Sequence, residues 1–175
     1  MRRIRPATDS GELDGCPASP PVKNLTLRSE AGAEATTIRM AEEPADPERA
    51  SVVIFESGES EASVLEGFTL TGGQAGGILL TGNTSPTITS CRISENSAYD
   101  GGGVGCSDDS SPMIMNCAIS ENSAYFGGGV ACAPNASPTL TGCTISGNLG
   151  ELIGGGVFCQ DSFSGIVWNC IVWGE

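Results

Sequence analysis

Seven of the eight cysteines in this 175-residue chain lie between positions 91 and 170, and their spacing is regular. Cys106 and Cys117, Cys132 and Cys143, and Cys159 and Cys170 are each 11 residues apart. Such pairs predict three disulfides, one within each unit of chain, and an oxidising compartment. The same thiols can instead be buried as small hydrophobes. Cys91 favours that second reading, because Leu80 stands where its partner would fall. With no histidine and no CxxC pair in the chain, zinc binding is not expected.

Other side chains recur at a fixed interval. Asn96, Asn122 and Asn148 are 26 residues apart, and stacked amides satisfy backbone groups along a column, so their expected role is structural. Glu95 and Glu121 precede two of them and are expected as solvated turn residues. Asp108 and Asp109, with Asp161 further on, form the one candidate metal set, of the oxygen type that suits Ca²⁺; no other cofactor is expected. Tyr99 and Tyr125, one interval apart, form a candidate sugar platform. Ile166, Trp168, Ile171 and Trp173 would share one exposed apolar patch, a candidate binding surface or a face for self-association through the C-terminal coil.

These positions are set by a repeat. Residues 76–100, 102–126 and 128–152 align, and Pro86, Pro112 and Pro138 mark a period of 26, as do Cys91, Cys117 and Cys143; Cys170 follows after 27. Within each unit apolar residues alternate with polar ones over three short runs, the period-two signature of half-buried strands. Ile78 and Leu80, Val104 and Cys106, and Val130 and Cys132 face inward in the first run; Ile88, Ile114 and Leu140 in the second; Cys91 with Ile93, Cys117 with Ile119 and Cys143 with Ile145 in the third. Ser90, Asn116, Gly142 and Asn169 stand between the second and third runs and tolerate the left-handed backbone of a sharp bend. Three strands and three turns make one triangular coil. Stacked in register, such coils place equivalent residues about 4.8 Å apart. The expected fold is all-β, a parallel β-helix, or solenoid, with coils of about 26 residues.

Segments 24–27, 36–40, 51–55 and 64–70 read as strands of degenerate coils, so residues 22–75 extend the solenoid upstream of the regular coils 76–175. Residues 41–50 are acidic and proline-containing, the pattern of a protruding loop, and residues 1–21 read as disordered. Met1 to Arg5 are basic but no apolar stretch follows, so no signal peptide is read, and no apolar run reaches the length of a membrane span. The ending falls in mid-coil, as expected of a piece of a longer chain. The net charge is −13, and from Gly67 onward Arg92 alone opposes eight carboxylates. That balance excludes nucleic acid as an expected partner and favours neutral glycans or cations over anionic polymers.

The residues Gly-Gly-Gly-Val, Ser-Pro-Thr-Ile-Thr, Asn-Cys-x-Ile-Ser-x-Asn and the terminal Asn-Cys-Ile-Val-Trp-Gly resemble bacterial right-handed parallel β-helix repeat proteins. The likeness covers Asn24 to Glu175. It extends to the Gly-Gly-Ala-Ile and Phe-x-x-Asn repeats of polymorphic outer membrane proteins, which are surface adhesins, with Cys in place of Phe at 91, 117, 143 and 170. The resemblance implies a non-catalytic, secreted or cell-surface module with a structural or adhesive role, binding a glycan or a cell-surface protein. The wider pectate-lyase-like group implies the alternative, a polysaccharide lyase or hydrolase using surface carboxylates, with or without calcium. That alternative requires a carboxylate pair, or a carboxylate and Arg92, to converge in one cleft, so an enzyme is the less expected reading.

Overall fold

The computed structural model describes residues 24–160 and 164–173. Residues 1–21, with Cys16, and Asp161 lie outside the described residues.

The chain winds as stacked coils. The first contributes β1 (Thr26–Arg28), β2 (Thr37–Arg39) and β3 (Val53–Phe55); the second, β4 (Val64–Glu66), β5 (Thr69–Thr71) and β6 (Ile78–Leu80). The next three each contribute four strands. They are β7 (Thr87–Thr89), β8 (Arg92–Ser94), β9 (Ser97–Asp100) and β10 (Val104–Cys106); β11 (Met113–Met115), β12 (Ala118–Ser120), β13 (Ser123–Phe126) and β14 (Val130–Cys132); and β15 (Thr139–Thr141), β16 (Thr144–Ser146), β17 (Leu149–Ile153) and β18 (Val157–Cys159). The last described turn carries β19 (Ile166–Trp168) and β20 (Ile171–Trp173). A short 3₁₀ turn, Pro47–Arg49, sits in the acidic loop, capped by the Asp46 carboxylate on the amide of Glu48.

Strands in equivalent positions pair in parallel. Sheet A runs β1-β4-β7-β11-β15-β19, sheet B β2-β5-β8-β12-β16-β20 and sheet C β3-β6-β10-β14-β18. Ile88, Ile114 and Leu140 pair directly and form one interior row, buried completely. Ile93, Ile119 and Ile145 form a second row, and Ile78, Val104 and Val130 a third. Each such side chain taken from water contributes roughly 1.5–3 kcal/mol. Ser90, Asn116, Gly142 and Asn169 all have positive φ, between 50° and 64°, and turn the chain from sheet A to sheet B within two residues.

The three-sided coil needs one correction. A fourth sheet, β9-β13-β17, lies between sheets B and C in the regular coils. Its cause is a second left-handed corner at Glu95, Glu121 and Gly147, with φ of 57°, 58° and 62°. The residue after each corner is an asparagine that turns inward while the chain continues outward into the extra strand. The one-residue insertion in the last full coil is absorbed here, where Ala124 pairs with Gly150 but Phe126 pairs with Ile153.

The inward asparagines form a continuous ladder. Asn122 Nδ2 donates to the carbonyl of Ile93 (2.9 Å) and to Asn148 Oδ1 (3.0 Å), while Asn122 Oδ1 accepts from the backbone amide (3.1 Å) and side chain (3.0 Å) of Asn96. The ladder satisfies backbone groups that the corner takes out of the sheets. Close glycines make room for it: a Cβ on Gly103 would stand 3.0 Å from Asn122 Nδ2 and 2.5 Å from the Gly129 carbonyl oxygen.

Asn122→Ala strands the buried amide of Asn96 and removes the side-chain link to Asn148, and is expected to cost about 2 kcal/mol in urea unfolding. Glu121→Gly removes a side chain from a left-handed position and is expected to raise stability by about 1 kcal/mol in the same measurement.

Candidate functional site

The fourth strand shapes the outer surface. After Asp100 the chain returns to sheet C through Gly101, whose φ is +67° and where an added Cβ would lie 2.3 Å from the Val104 carbonyl oxygen. Gly127 makes the same return one coil later. Only glycine allows so close a fold-back. It lays the Asp100 backbone over the outer face of sheet C, 3.3 Å from where a Cβ of Gly105 would stand.

Along that face the outward column reads Leu79, Gly105, Ala131, Phe158, in direct register. Two small residues between two large ones leave a depression of about 150 Å³. Gly105 and Ala131 form its floor, Leu79 and Phe158 its ends, Asp100 one wall, and Ser107, Ala133 and Gln160 the other. Ala131 is only 3 % exposed although it points outward, because these walls shield it. The volume is below that of a site enclosing a whole small molecule, and suits one substituent of an extended ligand.

An aromatic strip leads into the depression. Tyr125 lies 5.3 Å from Tyr99, Tyr99 lies 5.8 Å from Phe126 in an edge arrangement, and Phe126 lies 5.3 Å from Phe158. Tyr99 and Tyr125 are 65 % and 44 % exposed, so their rings present apolar faces with polar tips to solvent. The structure thus brings the two tyrosines together and adds Phe126, Phe158 and Asp100, which the sequence reading did not single out. For Phe158 the available signal was the outward column of the first run, where two small residues, Gly105 and Ala131, stand between the large Leu79 and Phe158.

The remaining candidates are dispersed. Asp108 and Asp109 form the left-handed turn after β10, with φ of 50° and 58°, and Asp108 accepts a hydrogen bond from the Thr81 hydroxyl. Asp161 is outside the described residues, and among those described no three side chains of metal-ligating type gather. Glu95 and Glu121 occupy the corner before the fourth sheet, exposed to solvent. Arg92 projects from sheet B, with Glu34 at 3.9 Å. Ile166, Trp168, Ile171 and Trp173 lie on the last strands of sheets A and B, and the two tryptophans are 71 % and 73 % exposed.

The seven described cysteines are free thiols in this structure, and the path of the chain carries the two members of each within-coil pair to different parts of the coil. Cys106, Cys132 and Cys159 belong to sheet C, whereas Cys117, Cys143 and Cys170 stand at the corner between sheets A and B. At that corner each thiol turns to nearby carbonyls, Cys117 Sγ lying 3.2 Å from the Met115 oxygen and Cys143 Sγ 3.4 Å from the Ile114 oxygen. Cysteine therefore neighbours cysteine along the axis. Hydrogen bonding by the Cys117 thiol holds Cys143 and Cys91 below the ordinary thiol value and lifts Cys117 itself above it.

Asp100 remains largely in solvent, yet partial burial desolvates the carboxylate and raises its pKa above the ordinary 3.8. A raised folded-state value means that the native state binds the proton more tightly than the unfolded chain does. Its contribution to stability is complete below the unfolded value and is lost as pH rises through the folded one. Asp100→Asn is expected to flatten the pH dependence of urea unfolding above pH 3.8 and to leave the protein no less stable at neutral pH.

No curated protein and no solved structure matches the chain. The family described as the right handed beta helix region matches residues 46–175. That span takes in the repeating coils, the asparagine ladder and the groove, and the stacked parallel strands are its architecture. The chain belongs to the right-handed β-helix family.

Proposed function

We propose that this β-helix is a non-catalytic module, secreted or displayed at the cell surface, that holds a neutral glycan along the aromatic strip and the groove of sheet C. The observation that carries this reading is the unbroken run Tyr125–Tyr99–Phe126–Phe158, which ends at a depression with a carboxylate on its rim. Sugar rings offer apolar C–H faces to aromatic side chains and hydroxyls to acceptors, and Asp100, Ser107 and Gln160 supply acceptors beside the strip. Neutrality of the ligand follows from the net charge of −13, which repels a polyanion. Placement outside the cell rests on the resemblance of the coil repeats to those of surface β-helix proteins.

The lyase or hydrolase alternative finds less support. Asp100 stands at the groove, Glu95 and Glu121 at a corner, Asp108 at a different turn, and Arg92 on sheet B beside Glu34. Among the described residues that line the groove Asp100 is the one carboxylate, whereas glycoside hydrolysis uses an acid–base pair.

Calorimetric titration with a panel of neutral oligosaccharides tests the reading. At least one is expected to bind, and Tyr99→Ala or Tyr125→Ala is expected to weaken it about tenfold, or about 1.4 kcal/mol, with thermal unfolding unchanged. Equal binding by these variants would remove the platform. Cleavage of any member of the panel, with or without Ca²⁺, would make the protein an enzyme.

A further inference from the structure

The two thiol columns belong to neither the groove nor the aromatic strip, and their geometry differs from the one their spacing in sequence suggests. Cys106 pairs with Cys132 across sheet C, and Cys132 with Cys159, each as direct register partners. At the corner column the amide of Ile171 donates to the Cys143 carbonyl (2.9 Å), so Cys170 stacks on Cys143, and the Cys143 amide donates to Cys170 Sγ at 3.3 Å. Register partners on neighbouring parallel strands stand about 4.8 Å apart, inside the range of Cα separations that a disulfide spans. Cys132 and Cys143 are 1 % exposed, whereas Cys159 and Cys170 are partly open to solvent.

We propose that these thiols are a site of oxidation by low-molecular-weight disulfides that forms bonds along the solenoid axis, Cys132–Cys159 and Cys143–Cys170, each stapling one coil to the next. The partly exposed Cys159 reacts first: its thiolate attacks one sulfur of RSSR, a bond from Cys159 Sγ to that sulfur forms, the RS–SR bond breaks, and the RS⁻ released takes up the proton. Cys132 then attacks Cys159 Sγ, the protein disulfide forms, and a second RSH leaves with the proton of Cys132. Two protein thiols are oxidised and one RSSR is reduced to two RSH. Cys170 and Cys143 follow the same two steps.

Burial, with Cys132 close by, pushes the Cys159 thiol up to about 12. Since the thiolate is the nucleophile, its modification is slow at neutral pH and accelerates about tenfold per pH unit below that value. The native product also differs from that of the unfolded chain, where the shorter loop between Cys132 and Cys143 closes more readily than the longer one between Cys132 and Cys159.

The full chain, folded, is incubated with oxidised glutathione at pH 8, alkylated, and cleaved by chymotrypsin at Phe126, Phe158 and Trp168 for mass spectrometry, beside a sample oxidised in urea. The folded sample is expected to yield the peptide carrying Cys132 and Cys143 joined to those carrying Cys159 and Cys170. The urea sample should instead show a Cys132–Cys143 bond within one peptide. Cys159→Ser should abolish the link from Cys132 and keep Cys143–Cys170; Cys170→Ser should do the reverse. A Cys132–Cys143 or Cys159–Cys170 bond as the main folded product, stable glutathione adducts on Cys159 and Cys170, or unchanged free thiols would each overturn the proposal.

Discussion

The backbone hydrogen bonds between coils, made in register, are the constraint on which every other feature rests. Each coil donates to the next along the axis, as in the amides of Gly103 and Val104 on the carbonyls of Gly128 and Gly129 at 3.0 and 2.9 Å. A chain paired in this way has no freedom to choose neighbours for its side chains. Whatever occurs at one position meets its own counterpart a period away, so isoleucine lies on isoleucine, asparagine on asparagine and cysteine on cysteine. A slip of one residue would turn each interior row outward, which is why the register is strongly fixed wherever a row is apolar.

The corners make this stacking possible. Three-residue strands must be joined by bends too tight for ordinary backbone, and residues with positive φ supply them at Ser90, Asn116 and Gly142 and again at Glu95, Glu121 and Gly147. Non-glycine residues pay for that conformation, and the cost is carried by the bonds that the corners enable. The asparagine ladder is the clearest case, since the Asn122 amide group serves the coil before it and the coil after it.

Where the interior rows are uniform, the outward rows are not. Leu79, Gly105, Ala131 and Phe158 share one column, yet differ enough in size to carve a depression, and Asp100 and Phe126 share the column beside it. The scaffold thus fixes distances while leaving surface chemistry free to vary from coil to coil. Function in such a solenoid resides in departures from the repeat.

The interior was legible in the residues themselves. Alternation over short runs, a constant interval between prolines and cysteines, and left-handed formers between runs determine a parallel solenoid, because each is a local preference that points to the same pairing. The spacing also showed the two tyrosines to be one coil apart. Two matters were decided only by the tertiary structure. The fourth sheet depends on Glu95 and Glu121 adopting positive φ, which glutamate does not advertise, and the groove exists only because that extra strand folds back over Gly105. The partners of the cysteines were likewise hidden. An 11-residue interval brings two thiols into one coil, but the path of the chain sends them to sheet C and to the opposite corner, and register then sets each beside its own image along the axis.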